Sequence, residues 1–238
     1  MDTLNEMMLT RTPTARRPLL GLTVLIVEDS RYASEALRLL CLRSGARIRR
    51  ADSLEHARRH LAVYRPSVLM VDVGLPDGSG LALISTLART TPRIEVILGI
   101  SGDSAPQAAV MAAGADGFLE KPISSLAAFQ SAILTHLPED RQPPGPRLIS
   151  DEVVNPDPIA YHDDLTHVAQ VLRGDEGDTS IDYVTQFLGG VARSARDDEM
   201  DRAVRDLIRS RSTGNSLKSG VAALFRIVET RIAAAGPI

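Results

Sequence analysis

The sequence predicts a doubly wound α/β domain with a five-stranded parallel sheet, followed by a smaller all-α domain. Three observations carry that reading. From Leu22 onward, short β-branched runs alternate with longer amphipathic stretches, which is the pattern of repeated βα units. The runs around Val24, Val68 and Val96 are almost wholly apolar, as strands covered on both faces must be. From Ile159 onward the strand signal stops and only helical periodicity remains.

The elements follow in order. The opening stretch "MDTLNEMMLTRTPTARRPLLG" lacks the continuous apolar core of a signal peptide. Residues 1–20 are therefore read as a flexible tail on a cytoplasmic protein. No apolar run approaches the length of a membrane span. "LTVLIV", "ARIRRA", "SVLMVD", "RIEVILG" and "DGFLE" are the strand candidates, each bounded by turn residues. Between and after them run "SRYASEALRLLCLRSG", "LEHARRHLAVYR", "GLALISTLART", "APQAAVMAAG" and "SSLAAFQSAILTHL", all helical in pattern. This places one α/β domain over residues 21–138.

Residues 138–158 contain six prolines and a glycine, so 139–158 reads as a linker or an extended arm. Residues 159–238 hold four helical stretches, with Asp178 or Thr179, Asp197 and Asn215 placed to cap the last three. Each stretch has an apolar stripe, exemplified by Leu165 and Val168, Val184 and Leu188, Val204 and Ile208, and Leu224 and Val228. No stripe can be buried alone, so the helices should pack on one another. The longest stripe, within 217–232, is the candidate contact surface for a homodimer or for the α/β domain.

Composition narrows the function. The 238 residues carry a net charge of −3, which as a whole does not point to nucleic acid. Cys41 is the single cysteine; it excludes a disulfide framework, fits a reducing compartment, and reads as a small buried hydrophobe.

The chemistry gathers at strand ends. Asp72 ends the third run, in "VLMVDVGLPDGSG", and Glu28 and Asp29 end the first, in "LIVEDS". In an open parallel sheet these ends converge on one edge, where ligands bind. Three carboxylates there repel one another, and a divalent cation with hard-oxygen preference, Mg2+ or Mn2+, relieves that repulsion. Ser101 and Lys121 end the fourth and fifth runs and bring a hydroxyl and an ammonium to the same edge. Such a set suits a phosphoryl group, with Asp72 as the nucleophile that becomes an aspartyl-phosphate. Only Lys121 and Lys218 among the 27 basic residues are lysine, so the choice of a compact point charge at 121 stands out against an arginine-using chain.

Jointly, Asp29, Asp72, Ser101 and Lys121, with "VDVGLPDGSG" and "GADGFLEKP", resemble the receiver domain of two-component response regulators over residues 21–138. The resemblance implies a flavodoxin-like fold and phosphorylation of Asp72 by a sensor histidine kinase or a histidine phosphotransfer protein. It also implies metal ligation by Asp29, Asp72 and the Gly74 backbone carbonyl, with Glu28 acting mostly through water. Ser101 and Lys121 would hold phosphoryl oxygens, and Lys121–Pro122 would be a cis peptide. Phe118 takes the family's aromatic switch position without a tyrosine hydroxyl. Gly74 and Asp103 occupy the positions that tune hydrolysis. No enzymatic action on other substrates is implied beyond self-catalysed phosphoryl uptake and loss. The segment "DSAPQAAVMAAG" has no Lys or Arg, which argues against the salt-bridged dimer some family members form.

The helical part leaves three outputs open: a protein-interaction or dimerisation module, a DNA-binding module, and a histidine-bearing relay module. Residues 151–204 carry a net −9 and residues 205–238 a net +4. In the basic part, Arg209, Arg211 and Lys218 flank a helix–turn–helix-like stretch and are candidate DNA or partner contacts. The relay reading rests on His162 and His167 in "YHDDLTHV".

Overall fold

The computed structural model describes residues 12–145, 149–174, 178–213 and 217–234. The chain divides into two units, one of Met1–Asp29 with Ala36–Asn155, the other of Ser30–Glu35 with Pro156–Ile238.

The first unit is built on five parallel strands: β1 (Thr23–Val27), β2 (Arg47–Ala51), β3 (Val68–Asp72), β4 (Val96–Ser101) and β5 (Gly117–Glu120). They lie in the order β2-β1-β3-β4-β5. Between them run α1 (Arg31–Ser44), whose first residues to Glu35 fall in the second unit, α2 (Leu54–Val63), α3 (Gly80–Ala88) and α4 (Gln107–Ala112), and α5 (Leu126–Leu134) follows β5. Alternate strand residues feed two cores, which is the expected consequence of a period-2 pleat covered on both faces. Val24, Ile26, Met70 and Leu98 pack with Leu37, Leu40, Phe129 and Ile133 of α1 and α5. Leu25, Val71 and Ile97 pack with Leu54, Leu83, Ile84 and Val110 of α2, α3 and α4. Cys41 is fully buried, and burial pushes its thiol up to about 12. This fits a packing role rather than reactivity.

Two segments are more tightly held than their composition suggests. Leu19 is fully buried in the first core, and its N–H donates to the Ser44 carbonyl at 3.0 Å. Packing therefore begins before residue 21. In the Pro-rich stretch, Val154 is buried and its N–H donates to Ser124, while Leu126 N–H donates to the Glu152 carbonyl. That stretch opens with a 3-10 turn over Glu139–Arg141, just after the buried Leu137, and its Val154 finds a place in the first core.

The second unit contains α6 (Pro158–Gly174), α7 (Asp178–Ala195), α8 (Asp198–Ser212) and α9 (Lys218–Ala234). Each helix packs on its neighbour and α9 returns to α6, giving a four-helix bundle with short connections. Leu165, Val168, Val184, Leu188, Val204, Leu224 and Val228 form its core, so the expected stripes pack internally. Ile208 is the exception, at 51% exposure. Val191 and Ala192 complete the core instead. Asp197 caps α8 by accepting from Met200 N–H. Asp178 and Thr179 lie in the first turn of α7, with their side chains beyond what is described, and the cap expected at Asn215 lies outside the described residues. In the same unit the buried Asp164 carboxylate accepts from Ser30 Oγ at 2.7 Å, Arg31 N–H at 2.8 Å and Tyr32 N–H at 3.1 Å. It thus satisfies donors at the opening turn of a helix. Among the described residues no helix is long and apolar enough to cross a membrane.

Candidate functional site

Strand register assembles the site. Val27 lies opposite Val71, Asp72 opposite Ile100, and Ser101 opposite Glu120. Glu28 and Asp29, Asp72, Ser101 and Lys121 therefore arrive together at the C-terminal edge of the sheet. Apolar neighbours along each strand leave these polar side chains largely enclosed: Glu28 is 3% exposed, Asp72 7%, and Ser101 and Lys121 6% each.

The loop after Asp72 is shaped by glycine. A Cβ at Gly80 would lie 2.0 Å from the Asp72 carbonyl oxygen, so only glycine lets α3 start against the backbone of the third strand. Gly80 N–H donates to the Val73 carbonyl at 3.0 Å. Gly74–Leu75 and Gly78–Ser79 form a two-residue antiparallel ladder that closes the turn.

Lys121 is the centre of charge. Its Nζ lies 2.6 Å from Asp72 Oδ2 and 2.7 Å from Glu28 Oε2. The other Asp72 oxygen accepts from Gly74 N–H at 3.2 Å. Burial alone would lower the lysine's proton affinity, but the Asp72 and Glu28 carboxylates outweigh it and hold the ammonium well above its usual range. Burial pushes the Glu28 carboxyl well above the ordinary carboxylate range; Lys121 opposes that, and Asp72 and Asp29 reinforce it. One oxygen each from Glu28, Asp29 and Asp72 can come within 4.8 Å of one another. Three carboxylates against one ammonium leave the edge formally short of positive charge. An all-oxygen donor set with that excess fits a hard divalent cation.

Ser101 Oγ accepts from Asp103 N–H at 3.3 Å, and Lys121 N–H donates to the Ser101 carbonyl at 2.7 Å. Asp103 itself is exposed. Phe118 is half-buried against the second core, and Lys121–Pro122 is cis. Val110 is wholly buried, whereas Met111 is 43% exposed.

The candidate contacts of the tail are less concentrated. Arg211 pairs with Asp182 at 2.7 Å, Arg209 lies 3.7 Å from Asp206, and Lys218 is exposed at the start of α9. His167 is exposed on α6, with its ring edge-on to Tyr183 and Phe187. His162 is half-buried.

Two supporting residues escape a sequence reading. Asp77, in "GLPDGSG", accepts from Leu54 and Glu55 N–H at 2.9 Å each and so caps α2 beside Ser53. Asp116 receives both terminal nitrogens of Arg93 and the Ile97 N–H, which ties the approach to β4 to the turn before β5. Loop composition hints at turn-forming aspartates, but their distant partners leave no local signal.

The geometry defines an enclosed acidic site with a single lysine at the edge of a doubly wound sheet, and a family model for the response regulator receiver domain matches residues 24–133. This part of the chain, a little under half of it, is similar to receiver domains. Among its relatives is the KDP operon transcriptional regulatory protein KdpE of Escherichia coli K12. It is 32% identical over 99 residues, which cover 42% of this chain and 44% of that protein. The virulence transcriptional regulatory protein PhoP of Shigella flexneri is 29% identical over 100 residues, covering 42% and 45%. The chain thus spans under half the length of these curated relatives. A solved CheY-like receiver domain from Methylobacillus flagellatus is 28% identical, with a TM-score of 0.43, covering 47% of this chain and 98% of that one.

Proposed function

We propose that the chain is a response regulator that accepts a phosphoryl group on Asp72 from a sensor histidine kinase or a histidine phosphotransfer protein. The observation that carries this reading is the enclosed Asp72 carboxylate, bound to Lys121 at 2.6 Å within a three-carboxylate cluster. In the transfer, an Asp72 oxygen forms a bond to phosphorus as the donor's P–N bond breaks, and that electron pair stays on the imidazole nitrogen. Lys121 then shifts its donors to the phosphoryl oxygens, joined by the Ser101 hydroxyl. Mg2+ or Mn2+ bound by Asp29, Asp72 and the Gly74 carbonyl, with Glu28 assisting through water, would supply further charge neutralisation at those oxygens. Phe118 contributes to any switch through packing alone. The protein is cytoplasmic in this reading, and its only catalysis is its own phosphoryl uptake and hydrolysis.

The helical unit serves as a protein-interaction or dimerisation output. The Arg211–Asp182 pair occupies one of the three candidate phosphate contacts and favours that output over a DNA-reading helix; because α9 buries Leu224 and Val228 inside the bundle, any contact through 217–232 is confined to the outward part of that stripe. Salt-dependent retention on duplex DNA, lost when Arg209, Arg211 and Lys218 are replaced, would reverse the choice.

The test is labelling by acetyl phosphate. Asp72→Asn and magnesium chelation should each abolish it, and Lys121→Arg should impair it because a planar fork cannot replace a point charge at such range. Acid-stable, metal-independent labelling of the Asn variant would overturn the assignment.

A further inference from the structure

We propose that the face formed by β2 and α2 docks an acidic protein partner, separately from the phosphoryl chemistry. Residues 47–65 hold six arginines and two histidines against Asp52 and Glu55, a net +4 within a chain of net −3. Two of those side chains are already engaged, His56 with Asp52 at 2.5 Å and Arg59 with Glu55 at 2.5 Å. Arg47, Arg49, Arg58 and Arg65 form no ion pair among the described residues, and all four are exposed. Such a concentration repels itself, and its relief must come from outside the fold.

The position of the patch narrows how a partner is held. β2 is an edge strand that pairs with β1 alone. Its outer carbonyls are screened by side chains: Arg49 Nη1 donates to Ile48 at 3.4 Å, and His60 Nε2 lies 3.2 Å from the Arg50 oxygen. Charge and occupied carbonyls together discourage strand addition. A partner is therefore gripped by side chains.

Those side chains surround an open groove of about 400 Å3 lined by Arg49, His56, Arg59, His60, Val63 and Tyr64. Val63 is 84% exposed. The Tyr64 ring stands edge-on to His60, and its hydroxyl is enclosed without a hydrogen-bond partner. An apolar centre with a tyrosine, rimmed by arginine forks, is the composition of a protein interface. Guanidinium forks match carboxylates two oxygens at a time. A single-stranded nucleic acid would instead need open stacking surfaces, and a duplex held through its phosphates would leave the exposed Val63 without an apolar partner. The fitting partner presents several carboxylates around one apolar side chain that covers Val63.

The test uses the full chain and a fluorescent synthetic peptide of alternating Glu-Glu and Leu-Leu pairs, with binding read by anisotropy at low salt. Arg49→Glu with Arg59→Glu should weaken binding about tenfold or more. Val63→Ser should weaken the leucine-bearing peptide and leave polyglutamate unaffected. Arg202→Glu with Arg226→Glu, on the helical unit, should change nothing. Asp72→Asn should bind as the parent does, which separates this surface from the phosphoacceptor reading. Should the reversed pair unfold the chain, Arg49→Gln with Arg59→Gln gives the same comparison with a smaller loss. Failure of the peptide to bind, or indifference to the arginine changes, would overturn the proposal. Tighter binding of duplex DNA through the same arginines would overturn it in favour of nucleic acid.

Discussion

Two charge clusters in this chain use the same residue types to opposite ends. At the sheet edge, Lys121 faces Asp72 and Glu28 at 2.6 and 2.7 Å, with Asp29 beside them, and acid outnumbers base. In the helical unit, Asp197 accepts from Met200 N–H, the Tyr161 hydroxyl and the Arg231 guanidinium, which also reaches Glu199. The second cluster sets two carboxylates against one guanidinium, uses the acceptors of Asp197 on a helix cap, and leaves Glu199 and Arg231 open to water. The first sets three carboxylates against one ammonium and is buried. Water meets an acid excess at a surface; an imbalance retained inside a fold marks a place built to receive something.

The largest expected effect comes from removing the lone cation at the edge. Lys121→Met leaves buried carboxylates uncompensated, which costs about 3–5 kcal/mol. Urea denaturation should show that loss, and excess Mg2+ should restore part of it by binding the folded state. A variant as stable as the parent in chelator would mean that the edge holds no real imbalance. Asp72→Asn works in the other direction, since it removes one of the repelling acids. Its stability should stay level or rise in chelator while phosphoryl labelling disappears.

A smaller loss is expected in the helical unit. Asp164→Ala removes the acceptor of Ser30 Oγ and of Arg31 and Tyr32 N–H. Losing a helix cap and leaving buried donors unmet costs about 1–3 kcal/mol. Denaturation should report it with acetyl phosphate labelling unchanged. Loss of labelling without loss of stability would contradict a purely structural role.

The contrast between the clusters also explains what the sequence could disclose. Buried parallel strands read as apolar runs because both faces are covered, so Val24, Val68 and Val96 announced the sheet, and the topology then fixed where their polar ends must meet. Asp29, Asp72, Ser101 and Lys121 were legible for that reason. Capping partners were not. Asp77 serves Leu54 and Asp164 serves Ser30 across long stretches of chain, and no local periodicity records such a pairing. Ile208 failed as a core residue because Met200, Val204 and Leu207 take the inward positions of α8, and the residue next round the helix from Leu207 turns to solvent. The basic face of β2 and α2 went unread because alternating arginines on a strand look like any solvated edge until α2 brings Val63 and Tyr64 alongside.

The smallest effect concerns protonation of the cluster in the helical unit. Burial would raise the Asp197 carboxyl, but the Arg231 guanidinium, the Met200 N–H and the Tyr161 hydroxyl outweigh it and hold it below its ordinary value. A carboxyl depressed on folding contributes stability above its unfolded value of about 4 and loses it as pH falls through the depressed folded value. Arg231→Met removes the leading favourable partner, so the Asp197 titration midpoint should move up toward the ordinary range. The acid-sensitive window then narrows, because folded and unfolded values converge. Side-chain carboxyl carbon shifts of Asp197, followed by NMR across the acid range, would measure both midpoints directly. An unmoved midpoint would show that the backbone cap and Tyr161 hold the carboxylate without help from the guanidinium.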